Sequence, residues 1–289
     1  MTAAVRALRG SIALTDPWFL RRELTGDLEI EFDRREEPSF IRQSTGVGAF
    51  VTKDWTRAHS TTFGYRFRLS EATDVEAVDD EVLELQSSVN VAGVVATHVY
   101  DVRDALFAPT RGVFIELSSE IAADAFGTEL EFARGLLTSS FFTPLSDDDV
   151  IGIGLRAGVI APAFSESQIP LQERFFAGGE NSVRSFLESR LGPLDPDGSP
   201  LGGESFVTAS LEWRHVLIGA FQSALFVDAG YVEEEARDLF SPEEIRLGVG
   251  AGLRYLLPIG PLRVDAAFNP DRNTGEDEWV VHFSIGMPF

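Results

Sequence analysis

The residues of this chain that could do chemistry are few, and they do not assemble into a catalytic set. Cysteine is absent, which removes thiolate nucleophiles, thiolate metal ligands and any disulfide framework. The four histidines, His59, His98, His215 and His282, are scattered and make no ligand cluster. There is no Gly-x-Ser-x-Gly elbow and no evident Ser/His/Asp constellation. Acidic residues are abundant, but they lack calcium-loop spacing, so neither a metal nor a cofactor is implied. The most distinctive stretch is 174–186, Arg-Phe-Phe-Ala-Gly-Gly-Glu-Asn-Ser-Val-Arg-Ser-Phe. Its arginine, Arg184, follows an apolar and aromatic flank. A guanidinium is a planar fork of donors suited to carboxylate pairing and to stacking on a ring. Gly178 and Gly179 allow backbone angles that other residues avoid. The stretch is neither strand-like nor helix-like, and it lies in a long connection over about 161–204.

The elements around that connection read as β-strands. Acidic residues outnumber basic ones by 46 to 24, a net charge of -22, which argues against nucleic acid as a partner. Phenylalanine is frequent, at 23, and methionine rare, at 2. No apolar run is long enough for a transmembrane helix, and residues 1–10 lack the hydrophobic core of a signal peptide. Alternation is clean where it occurs. Leu28, Ile30 and Phe32 oppose Asp27, Glu29, Glu31 and Asp33. Phe63, Tyr65, Phe67 and Leu69 oppose Thr62, Gly64, Arg66 and Arg68. Ile245, Leu247, Val249, Ala251, Leu253, Tyr255 and Leu257 oppose Arg246, Gly248, Gly250, Gly252 and Arg254. About thirteen such candidates run through 11–15, 27–33, 46–53, 61–69, 89–100, 113–121, 129–142, 150–160, 206–215, 221–231, 245–257, 262–268 and 279–289.

One phase of these strands is aliphatic and aromatic, and the opposite phase is small or charged. That is inside-out for a soluble barrel and right for a transmembrane one. Connections near 146–149, 216–219 and 258–261 are short, whereas those near 70–84, 161–204, 233–244 and 270–277 are long and mostly acidic. The expected fold is therefore all-β, an antiparallel transmembrane barrel with short turns at one end and long loops at the other. In an outer-membrane barrel the short turns are periplasmic, which puts the origin of the 161–204 loop outside. Trp18, Trp55, Trp213, Trp279 and Tyr255 are expected to include interface-girdle residues.

The last candidate strand alternates through Trp279, Val281, Phe283, Ile285, Met287 and Phe289, and it looks like the sorting signal recognised during outer-membrane barrel assembly. The loop stretch resembles the conserved loop segment of the BamA/TamA superfamily of outer-membrane assembly barrels. Phe175-Phe176-Ala177-Gly178-Gly179 matches closely. Val183-Arg184-Ser185-Phe186 matches the Val/Ile-Arg-Gly-Phe/Tyr core, with Ser185 in the glycine position. Ser210-Leu211-Glu212-Trp213 and Phe226-Val227-Asp228-Ala229-Gly230 resemble the two strands that follow the loop.

The resemblance implies that Arg184 folds into the lumen and pins the loop there. Glu212, Phe226 and Asp228 lie on the lumen-facing phase, where carboxylates could pair with the arginine and the ring could stack on it. It further implies a Gram-negative outer-membrane location among lipid and lipopolysaccharide. Client β-barrel or secreted proteins would be partners, and periplasmic accessory proteins would assist. The work would be non-enzymatic, through a lateral seam between the terminal strands. A two-partner-secretion pore, or a barrel anchoring a larger and conceivably lipolytic protein, is the alternative. The family barrel has about sixteen strands, so residues 1–289 are expected to be an N-terminally incomplete barrel domain without periplasmic POTRA repeats, with 161–204 folded into its lumen. If instead it closes on about twelve strands, the first candidate would be weakly held or displaced.

Overall fold

The computed structural model describes residues 7–75, 88–163, 168–242 and 244–289. Residues 76–84 of the expected acidic loop, and 164–167 of the expected lumen loop, lie outside them. Among the described residues thirteen strands follow one another in a single antiparallel sheet, each bonded to its sequence neighbours. They are β1 (Ala7–Asp16), β2 (Thr25–Glu36), β3 (Ile41–Asp54), β4 (His59–Thr73), β5 (Val89–Asp101), β6 (Gly112–Ala122), β7 (Phe132–Pro144), β8 (Asp149–Pro162), β9 (Ser205–Ile218), β10 (Phe221–Glu233), β11 (Arg246–Leu257), β12 (Gly260–Phe268) and β13 (Trp279–Ile285). Among the described residues β1 and β13 are not paired with each other. β1 is in register with β2 over ten residues, from Ala7 opposite Arg35 to Asp16 opposite Gly26. Every one of its residues is exposed, and beyond the ladder its side chains meet β2 at Thr15–Asp27, 2.6 Å, and Arg9–Glu31, 3.9 Å.

The period-2 pattern survives as a difference between the two faces. Leu28, Ile30, Phe63, Leu117, Leu211, Leu225, Leu253 and Phe283 are large apolar side chains that remain exposed on one face. The alternate positions carry Arg68, Glu120, Glu212, Asp228, Arg254, Arg263 and Asp265, all of them buried. A water-soluble sheet would reverse that arrangement, because burying charge is costly and leaving large apolar surface in water is unfavourable. The buried face surrounds the described part of the connection between β8 and β9, residues 168–204. This segment touches β2 through Arg35 and Glu188, β4 through Arg68 and Glu173, β10 through Asp228 and β13 through His282. One segment can reach the inner face of strands at both ends of the sheet only if the sheet curls around it.

Three boundaries differ from the alternation pattern for local reasons. β7 starts at Phe132 rather than near 129, because Glu129 is captured by Asn90: its carboxylate accepts from the Asn90 backbone N–H at 3.0 Å and from the side-chain amide at 3.1 Å. β8 continues through Pro162, so 161 and 162 belong to the sheet. β13 stops at Ile285, which corrects the expected run to 289. Gly286 sits at φ +106°, outside the strand region, and its N–H bonds Pro261 O at 2.8 Å. Met287 and Phe289 therefore leave the alternating outward row of Trp279, Val281, Phe283 and Ile285. Phe289 stacks on Phe142 with ring centroids 5.9 Å apart, against the inner wall at Gly152 and Gly154.

Candidate functional site

The loop is built around two glycines and a set of apolar anchors. Gly178 and Gly179 have φ of +102° and +93°. A Cβ on Gly178 would lie 2.6 Å from Leu187 O, so both conformation and space require glycine there. Val183 and Phe186 are buried with Ala177, Leu191, Phe206 and Val232. Phe175 packs on Phe206 of β9 at 4.9 Å, and Phe176 packs on Phe40 at 5.6 Å. These contacts aim Arg184, which lies between Val183 and Ser185, at the inner faces of β9 and β10.

Arg184 has no exposed surface. Its Nε and Nη2 donate to the two oxygens of Asp228, each at 2.8 Å, in a fork-to-fork pair. Its backbone N–H donates to the same carboxylate at 3.0 Å. Nη1 donates to Glu212 Oε2 at 2.8 Å, and Nη2 donates to Ser210 Oγ at 3.1 Å. The guanidinium carbon lies 3.3 Å from the centre of the Phe226 ring. His282 Nε2, on β13, donates to Arg184 O at 2.9 Å. Burial opposes the charge on Arg184, but Asp228 and Glu212 outweigh it and hold the pKa above the ordinary arginine value. The structure thus brings together Arg184, Glu212, Phe226 and Asp228.

Ser185, in the position where the resembled motif has glycine, is accommodated without strain. Its φ is not positive. Its hydroxyl donates to Leu247 O at 3.1 Å, and the side chain fills the space left by Gly248 on β11.

The wall behind Arg184 extends further than the motif positions. Glu212 Oε2 also accepts from Arg254 Nη2 at 3.0 Å, and Arg254 Nη1 donates to Asp265 Oδ1 at 2.5 Å. Arg263 lies 3.6 Å from Asp265 and donates to Asn181 Oδ1 of the loop at 2.7 Å. Arg184, Arg254 and Arg263 thus face Glu212, Asp228 and Asp265, a balanced set that makes burial of so many charges tolerable.

A second anchor lies at the other end of the loop, where Leu171–Glu173 forms a single 3-10 turn. The Glu173 carboxylate accepts from Arg68 of β4 at 2.9 Å and from Arg134 of β7 at 2.7 Å. Both arginines also bond Glu120 of β6. Burial alone would raise the Glu173 pKa, but Arg68 and Arg134 hold its carboxyl well below the usual carboxylate range. A third contact joins Arg35 of β2 to Glu188 at 2.6 Å, with Ser189 Oγ donating to Glu37 at 2.9 Å. Reading the motif alone misses Glu173, Arg68, Glu120, Arg134, Asp265 and Arg263. The available signal was the charged phase of the strands, which carries most of them.

The Omp85 superfamily domain matches residues 2–289. The chain belongs to the Omp85 superfamily. It is 23% identical over 284 residues to the outer membrane protein assembly factor BamA of Nitratidesulfovibrio vulgaris, an alignment covering 96% of this chain and 34% of that protein. The crystal structure of BamA from Haemophilus ducreyi lacking POTRA domains 1-3 superposes with a TM-score of 0.82 at 19% identity, covering 97% of this chain and 62% of that one. CdiB from Escherichia coli shares the fold with a TM-score of 0.59 at 14% identity, covering 96% of this chain and 52% of that one. The Omp85 chain described here spans about a third of the length of the curated BamA from N. vulgaris.

Proposed function

We propose that this chain is an outer-membrane barrel that helps other β-barrel proteins insert, with the 163–204 loop pinned in its lumen by Arg184. The observation that carries the reading is the combination of an apolar outward face with a buried, charge-balanced interior that grips the loop at Arg184. Such a sheet suits a hydrocarbon surround, where every backbone polar group must be paired within the protein. Relatives that bear the name of an outer-membrane assembly factor support the same role. The short turns lie on the periplasmic side and the 163–204 loop starts from the outer side. Clients enter at a seam between the terminal strands, where an incoming strand pairs by β-augmentation. Periplasmic accessory proteins deliver clients, lipid and lipopolysaccharide surround the barrel, and no covalent chemistry is needed. The outward row Trp279, Val281, Phe283 and Ile285 serves as the chain's own sorting signal, with Met287 and Phe289 turned inward after folding.

The test is insertion of an unfolded outer-membrane barrel into vesicles, scored by the heat-modifiable mobility of the folded client. Vesicles carrying this chain should fold the client faster than empty ones, and Arg184→Ala should lower that gain. Equal rates with and without the chain would defeat the assembly role. Planar-bilayer conductance that rises in Arg184→Ala while client folding is unaffected would mark a plugged translocation pore instead.

A further inference from the structure

Of the 24 lysines and arginines in the sequence, one is a lysine, Lys53. It stands next to the last residue of β3, at the short-turn end of the sheet. There it continues the outward phase of Val47, Ala49 and Val51. The register places Thr61 of β4 opposite Lys53 and His98 of β5 opposite Thr61, so the three share one row on the outer face. The next row toward the turn pairs His59 with Tyr100. Lys53 Nζ lies 5.3 Å from the centre of the Trp55 ring. The His59 ring meets His98 at 5.5 Å and Tyr100 at 4.7 Å, both edge-on.

The hydrogen bonds in this patch set the direction of its donors. Trp55 Nε1 donates to Thr61 Oγ1 at 2.9 Å. Thr61 Oγ1 lies 3.0 Å from His98 Nδ1. The hydroxyl accepts the indole N–H and can donate its own proton to Nδ1; in that arrangement the neutral ring carries its proton on Nε2. His98 is exposed on the outer face, and its Nε2 has no partner among the described residues. Lys53 has no ion pair among them either. The nearby carboxylates are directed elsewhere: Asp54 alternates to the opposite phase, and Asp101 is tied to Arg103 at 2.7 Å. Another outward patch at the same end shows the contrast. There Trp213 Nε1 and His215 Nδ1 both meet Asp149 Oδ1, at 3.0 and 2.9 Å, so that patch contains its own anion.

We infer that the Lys53–Trp55–Thr61–His98 patch binds the phosphodiester of a phospholipid in the leaflet next to the short turns. The inference rests on the membrane-spanning reading proposed above. An ammonium and an imidazole N–H in one row, about two strand spacings or roughly 10 Å apart at the backbone, can close on a phosphate from both sides. The indole and phenol rings sit at the depth where amphipathic rings meet headgroups, and the lysine stem lies along apolar surface while its charge reaches that level.

The test uses the full chain folded in detergent, titrated with phosphatidylethanolamine and followed by native mass spectrometry. Lys53→Gln should lower the affinity roughly tenfold, as loss of one charge-assisted contact does. Lys53→Arg should restore most of it, and His98→Ala should lower it by a smaller factor. Diacylglycerol, which lacks the phosphate, should bind weakly and equally to all variants. Unchanged phosphatidylethanolamine affinity in a folded Lys53→Gln, His98→Ala double variant would overturn the site. So would diacylglycerol binding to the wild type as tightly as phosphatidylethanolamine does, or a preference for lipid A. Carbonate-resistant insertion of the wild-type chain into vesicles separates the two readings. If the chain inserts and the double variant binds lipid normally, the phosphate site fails and the membrane-spanning reading stands.

Discussion

Two of the places that hold the loop between β8 and β9 are mirror images in charge. At Arg184 the loop contributes the cation and the wall of β9, β10 and β12 contributes Glu212, Asp228 and Asp265. At Glu173 the loop contributes the anion and the wall contributes Arg68 of β4 and Arg134 of β7. The first anchor is fully enclosed, whereas Arg134 at the second retains 21% of its side-chain exposure. The lesson is that each anchor residue of the loop is met directly by wall charges of the opposite sign, Glu212 and Asp228 at Arg184 and Arg68 and Arg134 at Glu173. Like charges would meet if the loop were turned end for end, so the arrangement specifies one orientation as well as adding stability.

Breaking the enclosed anchor should have the largest effect. Among the described residues, Arg184→Ala leaves Glu212 buried with only Arg254 as a close cation and Asp228 buried with only the Ser210 hydroxyl and the backbone N–H of residue 184 on its side-chain oxygens, and a cost of about 3–5 kcal/mol is expected from stranding buried charge. Urea unfolding of the barrel in detergent would measure it. Adding Asp228→Ala to the same chain should recover part of the loss, because the two residues act as a unit. Glu173→Gln should cost less, about 1–3 kcal/mol, since the amide oxygen can still accept and Arg134 is reached by solvent.

The second anchor should also show in the pH dependence. The folded Glu173 carboxyl lies below its ordinary value of 4.5, so its contribution is present above that pH and is lost progressively as the pH falls below it. Unfolding free energy of the wild type should therefore drop below about pH 4.5 more steeply than that of Glu173→Gln. Parallel curves would remove Glu173 from the account. Glu188 works in the opposite sense: burial raises its carboxyl despite Arg35, with Glu37 and Glu180 adding to the rise, so its protonation on acidification relieves strain instead of adding it. The smallest effect is expected at Ser185→Gly, which loses one hydrogen bond to Leu247 O and should shift stability by about 1 kcal/mol or less.

The same contrast explains what could be read from the sequence. Strand alternation depends on neighbours two residues apart, so all thirteen strands were legible while their ends moved, by as much as five residues at the start of β3 and with a local cause at Glu129, which bonds Asn90, and at Gly286, which turns the chain. The Arg184 anchor announced itself because its glycines, aromatics and arginine are contiguous and its partners sit on two adjacent strands. The Glu173 anchor did not. Its members lie at 68, 120, 134 and 173, on three strands and a turn, and no local spacing links them. Position within a charged phase said that Arg68 faced inward, but only the curl of the sheet around the loop determines what it meets. Phe289 was misplaced for a related reason, since alternation continues through 287 and 289 in the sequence while the backbone leaves the strand at Gly286.

The central claim is that the loop tip rests on the inner wall at β11 when the protein is in the membrane. The chain has no cysteine, so an introduced pair is unique. A Cβ on Gly248 would lie 2.8 Å from Ser185 Cβ, so the loop tip must draw back by roughly 1 Å to reach disulfide geometry. With Ser185→Cys and Gly248→Cys together in vesicle-inserted protein, mild oxidation should give an intramolecular disulfide in most molecules, seen as a mobility shift reversed by reductant. Free thiols at both positions that label readily under the same conditions would contradict a loop fixed in the lumen.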